Sequence, residues 1–298
     1  MLFFKYKSPL FYIIFLYAIV SILLRIALFF HPLTQSNFSF GESLQIFIIG
    51  MISDFFVFIL CSTFLWLYLL FISNSKYNKP WGYIIFGILL TLFLYIVFFN
   101  TILNEYGGSL PEIVQGFVGI KLLLFGLLLF LPKYRATIRL VLYSFTIFLF
   151  VLIIIQNAVS EFFFWNEFGL KYNFIAVDYL VYTNTVIGNI MESYPVIPLF
   201  SIIGVVTITI TYFIVKKSNY FLENIPSFKG KLKNLGIYLV LFLVSLFAIP
   251  KLASLENSQN VFKNELQANG IYKFYLAFMN SVLDYDTFYK TLPTDEAF

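Results

Sequence analysis

The chain alternates between long apolar runs and short polar segments, and seven of the runs are long enough, or nearly so, to cross a membrane. A helix that crosses the hydrocarbon layer needs about 20 mostly apolar residues. The pattern therefore predicts an all-α, polytopic membrane protein with about seven transmembrane helices, in a range from five to seven. The predicted spans are residues 10–30, 44–72, 81–99, 113–131, 140–159, 196–215 and 235–249.

The prolines agree with these boundaries, because proline interrupts helical hydrogen bonding. All ten fall at or beyond the end of a run, and none falls in the middle of a span. The run at 235–249 is the shortest, and whether it spans the membrane completely is left open by the sequence.

The composition excludes a soluble protein. Hydrophobic residues make up 60% of the chain and charged residues 11%, whereas soluble domains have about 45–50% and about 25%. The net charge of +4 gives no reason to expect a nucleic acid partner. With one cysteine and one histidine, the chain offers no disulfide framework and no Cys/His metal site, and we expect no cofactor in it.

Lysine and arginine predict the orientation, because cytoplasmic loops retain basic residues. With the N-terminus inside, the inner segments carry twelve Lys and Arg residues, and the outer loops carry only Lys171. An odd number of spans then places the C-terminus outside. We expect a transmembrane domain at 1–250 and an extracytoplasmic connector at 251–298.

Residues 160–195 are too charged to cross a membrane and too aromatic for bulk water. They predict an interfacial or re-entrant loop on the outer leaflet, with Trp165, Glu167 and Asp178 among its residues. The loop would serve either as an aromatic anchoring belt or as a dedicated lipid contact. In the connector, the apolar positions predict an amphipathic helix that Gly270 weakens.

Charged groups at membrane depth are costly, so they are candidates for function. Arg25 and Asp54 both fall in the outer part of the bilayer, where they could pair as a helix–helix contact or form a ligand site. Lys121 lies near the middle of the fourth span. It could hold a lipid phosphate or neutralise a neighbouring acid. The candidate intramembrane polar or lipid-headgroup site comprises Arg25, Asp54, Lys121, Glu105, Glu112 and Glu161.

Two segments carry a family resemblance. EFFFWNEFG at 161–169, followed by NFIAVDYLVY and IGNIMESYP, resembles the extracytoplasmic loop in the membrane half of bacterial lipoteichoic acid synthase-like proteins. The tail NELQANGIYKFYLAF, continued by LDYDTFY up to residue 289, is similar to the connector that leads into the catalytic domain of these proteins. They are phosphoglycerol transferases and sulfatase-family members of the alkaline phosphatase superfamily.

The resemblance implies a membrane anchor in the bacterial cytoplasmic membrane that positions an extracytoplasmic catalytic domain and helps present the lipid headgroup. The family enzyme uses a threonine nucleophile and a divalent metal, commonly manganese, to transfer phosphoglycerol from phosphatidylglycerol. None of its catalytic residues maps onto this chain. We therefore expect the chain to lack the catalytic domain and to be inactive alone. The alternatives are a lipid flippase or transporter subunit, and a structural partner of a separately encoded catalytic chain.

Overall fold

The computed structural model describes residues 8–35, 37–105, 108–223 and 227–280, so residues 281–298 of the predicted connector lie outside the described part. Within these ranges the chain forms helices and turns, with no strand. In chain order the helices are α1 (Pro9–Phe29), α2 (Phe40–Cys61), α3 (Thr63–Leu70), α4 (Trp81–Phe98), α5 (Ile102–Glu105), α6 (Leu110–Phe130), α7 (Arg135–Phe168), α8 (Phe174–Val181), α9 (Thr183–Ser193), α10 (Val196–Ser218), α11 (Tyr220–Glu223), α12 (Phe228–Ala253), α13 (Val261–Gln267) and α14 (Gly270–Met279).

Seven of the described helices are long and apolar enough to cross a membrane: α1, α2, α4, α6, α7, α10 and α12. The predicted all-α polytopic membrane fold is therefore confirmed. Large apolar side chains are exposed along all seven helices, as expected where lipid rather than water surrounds the protein.

The second predicted span is two helices, α2 and α3, separated at Ser62. The Ser62 hydroxyl donates to the Ile59 carbonyl at 3.1 Å, and the hydroxyl of Tyr238 on α12 donates to the same carbonyl at 2.8 Å. Hydroxyl groups that donate to a carbonyl at a helix break replace the hydrogen bond that the carbonyl loses there. The long apolar run is accommodated by this break.

The fifth span continues beyond its predicted end at residue 159, because α7 is a single helix of 34 residues that reaches Phe168. Gly169 ends it with φ of 66°, a conformation that glycine adopts without strain. Residues 160–168 of the predicted interfacial element are therefore the last turns of α7. Its member Trp165 is fully buried, in a cluster with Leu28, Ile46 and Leu266.

The seventh span is longer than its apolar run predicts, since α12 has 26 residues and includes Lys233 and Pro250. Pro250 therefore lies inside a helix, although not in its middle. It lies in the last turn, where its missing N–H removes the helical hydrogen bond to the Leu246 carbonyl. The Ser254 amide still donates to the Pro250 carbonyl at 3.0 Å.

Helix α7 packs against α1 and α10, while α12 packs against α2. The main core lies among these helices and α3, around Trp66 and Tyr143. The α4–α6 hairpin joins the rest mainly through a small cluster of Tyr77, Leu128 and Leu129. At the end of the bundle opposite to this cluster, α13 packs on α2 and α1, and α14 packs on α8. The connector thus lies against the end of the bundle that the basic residues assign to the outer face, here called the outer end.

Candidate functional site

Arg25 on α1 and Asp54 on α2 form a buried ion pair at the outer end. The Arg25 Nη2 and Asp54 Oδ2 atoms are 2.6 Å apart, and the two side chains are 2% and 7% exposed. Gly50 makes room for the pair, because a Cβ atom at this position would overlap the guanidinium of Arg25. The structure thus brings together two candidates that the sequence placed at similar depth.

The same pair also holds the connector. Arg25 Nη1 donates to the Leu266 carbonyl and, at 3.4 Å, to the Ala268 carbonyl. The Asn269 amide donates to the second carboxylate oxygen of Asp54 at 2.7 Å. Arg25 and Asp54 therefore join three parts of the chain: α1, α2 and the turn between α13 and α14.

A second buried ion pair lies on the other side of the connector. Lys171 Nζ is 2.8 Å from Glu161 Oε1, and these side chains are 4% and 5% exposed. Lys171 Nζ also donates to the Ala268 carbonyl at 2.9 Å, so this carbonyl accepts from both buried cations. Gly270 lies directly against Glu161, where a Cβ atom would overlap the carboxylate.

Every residue from 265 to 270 is buried, and we call this stretch the docked segment. The four side chains that hold it are called the clamp: Arg25, Asp54, Glu161 and Lys171. The docked segment contains the end of α13, where carbonyl groups lack helical partners and carry partial negative charge. Two buried cations satisfy these carbonyls, and the Asn269 side chain accepts from the Tyr272 amide at 3.0 Å to cap α14.

Further polar contacts surround the clamp. Glu265 accepts from the Lys171 backbone amide at 2.9 Å and forms an ion pair with Lys273. In the turn before α13, burial and the nearby charge of Glu265 raise the pKa of Glu256 to about 7, although Lys273 and Lys171 oppose the shift. This part of the connector therefore contains a carboxyl group that titrates near neutral pH.

Little space remains inside the clamp. A cavity of about 20 Å³ lies between Asp54, Glu161 and Asn269. That is room for about one water molecule, and far too little for a lipid headgroup. The arrangement is therefore suited to fixing the polypeptide rather than to binding a substrate.

The other predicted site residues lie apart from the clamp. Glu105 and Glu112 are exposed near the ends of α5 and α6, and no described ion pair joins either of them to Lys121. Lys121 is exposed on α6, with its ammonium 5.4 Å from the centre of the Phe117 ring. Glu105, Glu112 and Lys121, which the sequence groups in one candidate site, therefore share no described ion pair.

The predicted interfacial residues have different surroundings. Glu167 is exposed and accepts a hydrogen bond from the Tyr194 hydroxyl, which raises the pKa of Tyr194. Asp178 is exposed on α8. Trp165 instead packs in a buried cluster that contains Leu266 of the docked segment.

Sequence reasoning missed Lys171 and the docked segment as parts of this site. One signal was available: Lys171 is the only basic residue in outer loops that are otherwise acidic. A lone cation among acids suggests an ion pair, but the sequence does not show which acid it meets.

Comparison with protein-family models, with curated proteins and with solved structures finds no match to this chain.

Proposed function

We propose that this chain is the membrane-anchoring domain of a lipoteichoic acid synthase-like phosphoglycerol transferase or sulfatase-family protein in the bacterial cytoplasmic membrane. Its helices would hold the protein in the bilayer, and its connector would position an extracytoplasmic catalytic domain against the outer leaflet. Membrane lipids, with phosphatidylglycerol as the expected substrate lipid, and the catalytic domain or subunit would be its partners.

The observation that carries the proposal is the burial of the docked segment within the clamp. A connector that served only as a tether would need no buried charges, whose desolvation costs several kcal/mol per ion. Two ion pairs from three helices and a loop instead fix the turn before α14. Such a connection gives whatever follows α14 a defined position and direction relative to the membrane.

Exposed apolar groups around the outer end support contact with lipid. Tyr182 and Met191, near and on α9, are 65% and 64% exposed, and Tyr275 and Phe278 on α14 are each 53% exposed. Aromatic and apolar side chains beside charged ones are typical of helices that lie in the membrane interface. These helices would surround the headgroups on which the catalytic domain is expected to act.

The divalent metal of the family does not fit the residues that the structure describes. No three His, Cys, Asp or Glu side chains come together among the described residues. The clamp carboxylates are already engaged by buried cations and an amide. We therefore derive no chemical step through a metal in this domain.

The proposal predicts that purified residues 1–298 release no phosphoglycerol from phosphatidylglycerol in vesicles with Mn²⁺ present. It also predicts a sulfatase-like catalytic sequence, either in the reading frame after codon 298 or in a neighbouring gene. Release of phosphoglycerol by the purified chain, or the absence of any such sequence, would overturn the proposal.

A lipid flippase or transporter is the second candidate, and exposed Lys121 at membrane depth is the observation in its favour. Its other two supporting residues, Arg25 and Asp54, are engaged by the connector and face a cavity too small for a headgroup. A fluorescent-lipid scrambling assay in liposomes distinguishes the two functions. Scrambling that is lost in Lys121→Gln would favour the flippase.

A further inference from the structure

The α4–α6 hairpin has a wide face that the rest of the bundle leaves uncovered. In α4, which is described in full, Gly82 is the only buried residue. The hairpin joins the main bundle near the inner end, opposite to the outer end, through the cluster of Tyr77, Leu128 and Leu129. Most of its surface is therefore open to lipid or to another membrane protein.

The exposed face of α6 carries a heptad repeat of large apolar residues. These residues recur at alternating intervals of three and four, and we call them the seam: Leu110, Ile113, Phe117, Ile120, Leu124 and Leu127. Leu124 is half-buried, and the other five are exposed. The spacing is that of the a and d positions of helices that pack as left-handed coiled coils, which is the common geometry between transmembrane helices. The seam thus has the pattern of a surface that another helix covers.

Lys121 lies beside the seam, deep in the membrane. Helix α6 has 21 residues, so it is about 31 Å long and matches a hydrocarbon layer of about 30 Å. The Lys121 ammonium lies 5.4 Å from the centre of the Phe117 ring, one turn closer to the outer end. Phe117 itself lies about 10 Å from the outer end of α6. The lysine side chain therefore extends toward the outer headgroups but ends well below them.

A charge at this depth is costly unless it is paired, and charged residues within spans usually face other protein groups. The chain supplies no such group from the hairpin. Helix α4 contains no charged residue, and no ion pair among the described residues includes Lys121. Glu105 and Glu112 lie near the outer ends of α5 and α6, above the level of the ammonium. The missing negative charge therefore has to come from another molecule.

A second copy of this chain does not supply that charge. In a parallel pair of helices with this repeat, Lys121 is at position e, which pairs with a position g of the neighbouring helix. The corresponding position g of α6 is Gly116, five residues earlier, and it carries no charge. A Cβ atom at Gly116 would meet open space, so this side of the seam has room for a neighbouring side chain.

We propose that the seam binds a transmembrane helix of a different protein, and that this helix carries an Asp or Glu in the outer half of its span, which pairs with Lys121. Apolar residues of the partner helix would pack between the seam residues. The carboxylate would neutralise the ammonium in the hydrocarbon, where the attraction between opposite charges is stronger than in water. This inference does not rest on the proposed function, since the clamp and the connector take no part in it.

The test measures how strongly the full chain associates with synthetic transmembrane peptides in phosphatidylcholine vesicles. The peptide has leucine at positions a and d, alanine elsewhere and one glutamate at position g of its outer heptad, and a second peptide has glutamine there. Energy transfer from the labelled peptide to a dye on Cys61, the only cysteine of the chain, reports association. The glutamate peptide should associate about tenfold more strongly, which corresponds to about 1.4 kcal/mol.

Three variants show whether Lys121 and the seam are responsible. Lys121→Gln removes no described hydrogen bond or ion pair, so it should fold, and it should abolish the preference for the glutamate peptide. Ile120→Ala should weaken association with that peptide. Ile88→Ala on α4 is its matched control, because both isoleucines are 62% exposed and only Ile120 belongs to the seam, and it should leave association unchanged.

Three results would overturn the proposal. The first is equal association of the glutamate and glutamine peptides, and the second is a preference that persists in Lys121→Gln. The third is energy transfer between two labelled copies of the chain that Ile120→Ala abolishes, because a second copy would then occupy the seam.

Discussion

The clamp can be tested by removing one charge, with Asp54→Asn as the perturbation. The substitution keeps the size and shape of the side chain, but it removes the negative charge beside Arg25. Arg25 is 2% exposed, so it cannot recover its hydration without a rearrangement of the outer end. The Leu266 and Ala268 carbonyls would then be its remaining partners.

The expected cost follows from the burial of the pair. Removing one partner of a buried ion pair destabilises a protein by about 3–5 kcal/mol, because the other charge is left uncompensated. The chain provides its own comparison in Lys263 and Glu42, which also join α13 to α2. The Lys263 Nζ and Glu42 Oε1 atoms are 3.8 Å apart, and the Glu42 side chain is 36% exposed. An exposed pair of this kind contributes about 0–1 kcal/mol, so Lys263→Gln is the matched control.

Two measurements detect the effect of Asp54→Asn. Unfolding in detergent gives the loss of stability, and a spin label at Met279→Cys, in a Cys61→Ser background, reports the motion of α14. Asp54→Asn should lower the free energy of unfolding by several times as much as Lys263→Gln and make the label mobile. Equal losses for the two variants, with an unchanged spectrum for the label, would refute the clamp.

A double variant separates the clamp from a simple contact between α1 and α2. Replacing a buried ion pair with apolar residues is often neutral or stabilising. If the pair joined only the two helices, Arg25→Leu with Asp54→Leu would restore stability and leave α14 ordered. Since Arg25 also donates to the docked segment, we expect the label on α14 to remain mobile in the double variant.

Three further predictions follow from the geometry and the titrating groups. Gly270→Ala should destabilise the outer end and mobilise α14 through overlap with Glu161, whereas Gly236→Ala, which meets open space on α12, should cost nothing in the same unfolding assay. The pKa of Glu256 is about 7 in the folded protein, whereas its ordinary value is 4.5. As the pH rises between these values, the carboxyl group ionises in the unfolded chain but not in the folded one, so the folded state loses stability. Glu256→Gln should therefore raise the unfolding midpoint at pH 8 but not at pH 4, and an equal effect at both would contradict the shift. Burial, followed by the nearby cations, lowers the pKa of Lys76 from 10.5 to about 8, so the free energy of unfolding should rise between pH 8 and 10, and this rise should be absent in Lys76→Gln.

The spans could be predicted from sequence because the length of an apolar run is a direct consequence of membrane thickness. Their ends were less predictable, since a helix does not end where its apolar residues end. Helix α12 continues through Lys233 at one end and Pro250 at the other. Helix α7 reaches Phe168 because its last turns bury Trp165 and Glu161 against the connector, and no local pattern reveals that contact.

The site was only partly predictable for a similar reason. Depth along a helix can be counted, so Arg25 and Asp54 could be placed at the same level. The partners of these residues come from a segment more than 200 positions further along the chain. Two glycines, Gly50 and Gly270, are the remaining indication of the site in the sequence. Each lies against a charged group of the clamp and leaves no room for a side chain, but this becomes clear only when the helices are placed together.

The cations at the two ends of the bundle differ in the way their charges are balanced. At the outer end, each buried cation meets a carboxylate and a backbone carbonyl of the docked segment, so the polypeptide itself completes the site. At the inner end, Lys76 and Arg139 donate to the Phe71 and Ile72 carbonyls, and no described ion pair includes either of them. A balanced cluster is suited to a permanent structural connection.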